Sequence, residues 1–245
     1  MFKHYVLTRF NDGLYSANSR VQAPPDEWMD HRLTLFTAFT VPSMMEQTCQ
    51  NFTWLVLMDP RTPRRYIEEI ESFRYPNLQL IYPTETGVRW AQAFAPGDYD
   101  LITTRLDNDD AFSLDTMAAL QRTYLAERDR QPKPWVMVFP LGLIMDLASR
   151  KIWPLEYWLN NSPTRVGRAD DGQTVYQWQH DSIPPEVAKR YITDKPYWLQ
   201  LVHAHNLLNA IPAPGHPTKI LHRDVPAPLE WLEQFGVTPD RLPVA

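Results

Sequence analysis

The segment from Tyr99 to Asp110 constrains this chain more than any other. An apolar run, Tyr99-Asp100-Leu101-Ile102-Thr103-Thr104-Arg105, passes directly into Leu106-Asp107-Asn108-Asp109-Asp110. The run has the aliphatic and β-branched content of a buried strand. The cluster packs three carboxylates into four positions. Like charges this close repel, so a fold keeps them only where something offsets the charge. The same plan recurs upstream. His4-Tyr5-Val6-Leu7 reads as a strand ending in the polar Thr8-Arg9-Phe10-Asn11, and Phe52–Met58 as a buried strand ending at Asp59. Leu78–Tyr82 is a third strand. Helical periods lie between: Trp28–Phe39, stopped by Pro42; a new helix opened by a capping box at Ser43-Met44-Met45-Glu46; and one from Thr62-Pro63 to about Phe73. Gly87–Phe94 reads as a short helix, and Ser113 caps a helix with Met117, Leu120 and Tyr124 in its apolar stripe. Such alternation predicts an α/β fold whose mixed central sheet carries helices on both faces. In open sheets of this kind ligands sit beyond the carboxyl ends of the strands. Asp59 and the Asp107–Asp110 cluster stand at two such ends.

The second half changes character. Trp135–Phe139 and Leu141–Ile152 read as extended runs with a turn around Ala148-Ser149-Arg150. Val166–Trp178 reads as a hairpin about Asp171-Gly172, followed by a helix after Pro184-Pro185-Glu186 and an extended run from Tyr197 to His203. From Ile211 the chain is proline-dense, with one short helix near Leu229–Phe235 closed by Gly236. No flexible linker separates the halves, so residues 1–245 read as a single domain.

Composition removes several function classes. With 44% hydrophobic residues and a net charge of −5, the chain is neither disordered nor a nucleic-acid binder. The longest apolar run, Trp135–Met145, is interrupted by Pro140 and falls short of the roughly 20 residues of a membrane span. No signal-peptide core opens the sequence, so a cytoplasmic location is expected. The single cysteine, Cys49, sits in a predicted helix without a basic neighbour, which argues against a thiol enzyme. Glycine-rich phosphate loops and nucleophile elbows are absent from the sequence. The nine tryptophans suit either a core or a sugar-stacking cleft, with Trp90, Trp153, Trp158 and Trp178 the candidates for the second.

Two readings of the acidic cluster compete: a solvated turn capping the next helix, or carboxylates holding Mn²⁺ or Mg²⁺ beside a phosphorylated substrate. Here the residues reach a resemblance. A strand followed by Asp-x-Asp and a helix, with an earlier strand ending in Asp59, resembles a GT-A glycosyltransferase, a class that uses nucleotide-sugar donors. Thr8-Arg9-Phe10-Asn11, the string Thr104–Ala111 and Trp198-Leu199-Gln200 with His203 are similar to a bacterial family named for rhamnosyl transfer. The resemblance runs from about His4 to Asn209. It implies a single GT-A-like domain, with a nucleotide-sugar-binding half at about 1–130, an acceptor-side half at about 131–210, and a proline-rich tail at 211–245.

The resemblance also assigns roles. Asp109 would be the metal ligand of the motif, and His203 a second one. Asp107 would bind the donor's ribose or reach the metal through water. Asp59 would contact the nucleotide base, with Thr8 and Arg9 lining the same pocket. Arg105 would be a second phosphate contact or simply the partner of the neighbouring aspartates. Asp181, beside His180, resembles the general base, with Asp146, Glu156, Asp170 and Asp171 as competitors. The implied reaction moves a sugar, rhamnose by the family's name, from a nucleoside diphosphate to a glycan or lipid-linked saccharide. Surface association with a membrane would suit the latter acceptor. Two rivals stay open: a sugar-nucleotide nucleotidyltransferase, and a non-catalytic carbohydrate- or metal-binding module.

Overall fold

The computed structural model describes residues 1–16, 19, 21, 23–83, 90–160, 162–206 and 210–243. Strand β1 (Phe2–Arg9) is followed by helix α1 (Pro25–Leu35), a π-helical turn (Phe36–Thr40) and helix α2 (Val41–Met45). Next come β2 (Thr53–Leu57), α3 (Arg64–Ser72), β3 (Leu78–Ile81), β4 (Asp100–Arg105), β5 (Ala111–Phe112) and α4 (Thr116–Glu127). The rest is mainly strand: β6 (Trp135–Val138), β7 (Leu141–Asp146), β8 (Lys151–Glu156), β9 (Thr164–Arg168), β10 (Ala188–Tyr191), β11 (Trp198–Val202) and β12 (Lys219–Ile220). A 3-10 turn at Leu229–Phe235 ends on Gly236 in the left-handed conformation, where the sequence places a helix stop.

The architecture is the mixed α/β one expected. A seven-stranded sheet runs β10-β6-β9-β4-β1-β2-β3, and a five-stranded sheet runs β12-β8-β7-β11-β5. In the first, β1 is parallel to β2 and β4, and β2 to β3; β9 alone runs against its neighbours. Strand order therefore reverses beside β1, and the crevice at the carboxyl ends of β1 and β4 is the place where such sheets bind ligands. Even-numbered side chains of β1, β2 and β4, such as Val6, Trp54 and Ile102, join the buried faces of all four α-helices in one core. Odd-numbered ones, such as Leu7, Leu55 and Leu101, pack under 3-10 turns carrying Trp90 and Val175.

The second sheet brings two distant segments together. Strand β5, only two residues long, begins right after the acidic loop and pairs antiparallel with β11, Leu199 opposite Ala111. That register sets the residues before Ala111 beside those after Leu199. The Leu201 amide donates to Asp110 Oδ1 at 3.2 Å, and His203 arrives next to Asp109.

Several expectations are corrected. Pro42 does not stop the first helix: the chain continues through the π-turn into α2, and Glu46 ends a helix rather than opening one. The wide π-turn sits where proline would otherwise clash with the preceding turn and leave a carbonyl unpaired. Ser43, instead of capping, donates to Thr40 O at 2.8 Å. Cys49 lies in the loop beyond α2, its thiol 3.5 Å from Gln121 Oε1. Asp171-Gly172 makes no hairpin; β9 lies between β4 and β6, and Asp171 binds the buried Arg165 at 2.7 Å. The segment after Pro184 forms edge strand β10 rather than a helix, since Ala188-Lys189-Arg190-Tyr191 lacks a helical apolar face and pairs with Trp135–Val138. Of the short helix expected at Gly87–Phe94, Trp90–Ala93 is a 3-10 turn and residues 87–89 lie outside the described residues. Among the described residues no helix is long and apolar enough to cross a membrane.

His4 illustrates how the core sets a pH limit. It is buried on β1, bonded to Thr104 Oγ1 at 2.8 Å and to Gln121 Nε2 at 3.3 Å. Burial lowers its pKa to about 3. The unfolded chain therefore takes up this proton first, and stability falls as pH drops from the ordinary histidine value toward the folded one. We expect the protein to be about 2 kcal/mol less stable at about pH 5 than at neutrality through this group alone. Urea midpoints of wild type and His4→Gln at both pH values check it: the acid loss should shrink by that amount in the variant.

Candidate active site

Three groups of side chains stand at the carboxyl ends of β1, β2 and β4. The first flanks the point where strand order reverses. Arg9, last residue of β1, is exposed and lies with its guanidinium carbon 4.8 Å from the centre of the Tyr176 ring. Arg105, last residue of β4, approaches the same ring at 5.9 Å. Arg105 also grips Asp107 through two bonds, Nε to Oδ1 at 3.0 Å and Nη2 to Oδ2 at 2.9 Å. Burial works against the Arg105 charge, but Asp107 outweighs it and raises its pKa. Tyr176 is stacked on Trp90, with ring centroids 5.5 Å apart, and its hydroxyl donates to Leu7 O at 3.2 Å. Burial, then Asp107, pushes its phenol up to about 12.

The second group caps β2. Asp59 is 2% exposed, and its carboxylate takes Arg61 Nε at 2.9 Å and Nη2 at 2.8 Å. Those bonds hold its pKa below the usual carboxylate range. Asn11 bridges the strand ends: its Oδ1 accepts from the Asp59 amide at 2.9 Å and its Nδ2 donates to Thr62 at 2.8 Å.

The third group centres on Asp109. Its Oδ2 accepts from His203 Nε2 at 3.0 Å and Asn206 Nδ2 at 3.3 Å, and pairs with Arg32 Nη1 from α1. Arg32 and Asp109 are 6% and 4% exposed. Burial alone would raise the Asp109 carboxyl; Arg32 and His203 overcome that and hold it down. Arg32 also donates to Asn108 Oδ1 at 3.1 Å and to His205 O at 3.3 Å. Behind His203, its Nδ1 meets His31 Nε2 at 3.0 Å. His31, lowered to about 4 by burial and then by His203 and His205, stands neutral. Thr40, in the π-turn, donates to the carbonyls of Asn108 and Asp110, so one helix holds the acidic loop at two points.

Arg9, Arg105, Asp107, Asp109 and His203 lie at or just beyond strand ends, the first three in one group and the last two in another. Thr8 does not join Arg9: alternation along β1 turns it into the core, fully buried, where it accepts from Trp54 Nε1 at 3.0 Å. Asp181 stands apart on an exposed loop, with Ser182 Oγ at 3.0 Å. Arg32, His31, Asn206 and Tyr176 were not picked out from the sequence. Arg32 had left a sign: it falls four positions after Trp28 and four before Phe36, a charge inside a buried stripe.

A divalent cation does not fit these residues as they stand. Asp109 Oδ2 already receives three nitrogen donors, His203 Nε2 faces that same oxygen, and Asp107 is paired with Arg105, so a cation would meet a guanidinium charge at each carboxylate. Among the described residues no three His, Cys, Asp or Glu side chains are grouped for a metal.

Solved structures that match this chain include residues 1–349 of Staphylococcus aureus TarS in complex with UDP-GlcNAc, at 14% identity and a TM-score of 0.48. That match covers 83% of this chain and 60% of the TarS fragment, so this chain spans under two thirds of that structure's length. HddC from Yersinia pseudotuberculosis matches at 9% identity and a TM-score of 0.41, covering 82% of this chain and 93% of the other. No curated protein matches the sequence. The sequence model described as "Putative rhamnosyl transferase" matches residues 7–214, a span that takes in Arg9, Asp59, the whole acidic loop and His203, and the chain belongs to that family.

Proposed function

We propose that this protein is a glycosyltransferase that moves a sugar, rhamnose by its family, from a nucleoside diphosphate to a glycan or lipid-linked saccharide. The observation that carries the reading is the placement of Arg9 and Arg105 on either side of the crevice where strand order reverses, with Asp107 held between them and the acidic loop. Family membership supports the reaction class.

In the proposed reaction the acceptor hydroxyl oxygen bonds to the anomeric carbon. The bond from that carbon to the diphosphate oxygen breaks, and its electron pair leaves on the nucleoside diphosphate. Arg9 and Arg105 supply fixed positive charge where negative charge develops. Asp107, oriented by Arg105, accepts from the donor's ribose hydroxyls, and Asp59 with Asn11 frames the base end. Asp181 takes the hydroxyl proton. Its exposed carboxylate stands apart from the strand-end groups, so this role rests on the family resemblance and on an acceptor that reaches from the crevice to the loop after Tyr176.

Thermal-shift titrations with UDP, dTDP and GDP test the donor site, because a ligand that binds only the native state raises Tm. One nucleotide should raise Tm in the wild type. Arg9→Ala, an exposed change, should leave the free protein's Tm unaltered and weaken that nucleotide about tenfold. Flat curves with all three nucleotides would end the donor-site reading.

A further inference from the structure

The buried pair of Arg32 and Asp109 lies at a place where the sequence pattern calls for a metal. We propose that Arg32 stands at Asp109 where a divalent cation would otherwise sit, so that this site meets the donor diphosphate with arginines and needs no added metal. The proposal deepens the donor-site reading above and rests on it.

Three observations carry it. Arg32 is buried and rigidly placed: Nη1 reaches Asp109 and Asn108, Nη2 reaches the His205 carbonyl, and the ring of Trp28 lies 5.2 Å from its guanidinium carbon. It comes from α1, which the Thr40 bonds lock to the same loop, so it is not a surface arginine that swings aside. Its Nε is buried and finds no hydrogen-bond partner among the described residues, so one donor of the planar fork is unsatisfied. The charge arithmetic agrees. Asp107 is matched by Arg105 and Asp109 by Arg32, so a dication added to this loop would meet two guanidinium ions and no unmatched carboxylate among that pair. Asp110, the third, accepts from the Leu201 amide in the strand pairing.

The decisive measurement is Mn²⁺ binding followed by electron paramagnetic resonance on chelator-stripped protein, with nucleotide thermal shifts run in EDTA. Wild type should bind no stoichiometric Mn²⁺, and the nucleotide shift should be the same in EDTA as in Mn²⁺. Arg32→Ala and Arg32→Met should gain Mn²⁺ affinity by a factor of about ten or more, because Asp109 and His203 are released to a cation. Arg32→Lys, which keeps the charge, should not. Stoichiometric Mn²⁺ on wild type that disappears in Asp109→Asn would overturn the proposal, as would a nucleotide shift abolished by EDTA. Should the Arg32 truncations not fold, the wild-type titration decides by itself. Absence of any nucleotide shift, with or without metal, would remove the donor site, while the Mn²⁺ titration would still judge Arg32.

Discussion

Asp109→Asn should lower the melting temperature by about 10 °C and, on the proposed function, weaken transfer by loosening Arg32 from the acidic loop. The change removes one charge from a pair that is buried on both sides, leaving Arg32 with neutral oxygens alone. Breaking a buried pair in this way costs about 3–5 kcal/mol, because the remaining ion keeps its desolvation penalty without its partner. In a chain of this size each kcal/mol moves Tm by roughly 2–4 °C. The same reasoning predicts that replacing both partners with apolar residues, Arg32→Met with Asp109→Leu, restores much of the stability but none of the activity. Acid should narrow the gap between wild type and Asp109→Asn. The folded carboxyl lies below its unfolded value, so its contribution is present above the ordinary carboxylate range and is lost as pH falls through the folded value. Calorimetry of wild type, Arg32→Met, Asp109→Leu and the double variant at neutral and acid pH makes the cycle; a double variant as unstable as the sum of the singles would refute the pairing.

Gly142→Ala should be strongly destabilising although it adds a single methyl. A Cβ at this position of β7 would lie within the indole of Trp198, 2.5 Å from Cδ2 and 2.6 Å from Cζ2. The indole cannot retreat: it is 1% exposed, and its Nε1 donates to Phe139 O at 2.8 Å. Overpacking of this severity costs about 3 kcal/mol or more. The strain would also reach the site, since Trp198 opens β11 and His203 follows its end. Urea denaturation reads the loss directly, and Trp198→Leu in the same chain should relieve part of it by vacating the space. An unchanged midpoint in Gly142→Ala would contradict this packing.

The parallel half was legible because each strand is a continuous apolar run ended by a polar residue, and β1, β2, β3 and β4 fall within a few residues of where those runs lie. Strand-end positions were legible for the same reason: Arg9, Asp59, Arg105 and Asp107 are placed by local pattern alone. What escaped was set by pairing between distant segments. Strand β10 looks helical until Trp135–Val138 is there to receive it, and β5 is too short to carry any period. Thr8 was misplaced because a motif read as a string ignores the alternation that sends Thr8 and Arg9 to opposite faces. Arg32 lies 77 positions from Asp109, and only the packing of α1 on the acidic loop joins them.

The π-turn at Phe36–Thr40 has a consequence for how this sequence can change over time. Arg32 and Thr40 grip the same loop from one helix, and the turn between them accommodates an extra residue relative to an ordinary α-helical path. Deleting any one residue there would let the helix relax to regular geometry and swing everything before it by about 100° about the axis. Arg32 would then face away from Asp109 while Thr40 stayed in place. Side chains along Phe36–Thr40 can drift within the limits of core volume, but its length cannot: insertions and deletions should be tolerated in the loops on either side of this helix and not within it.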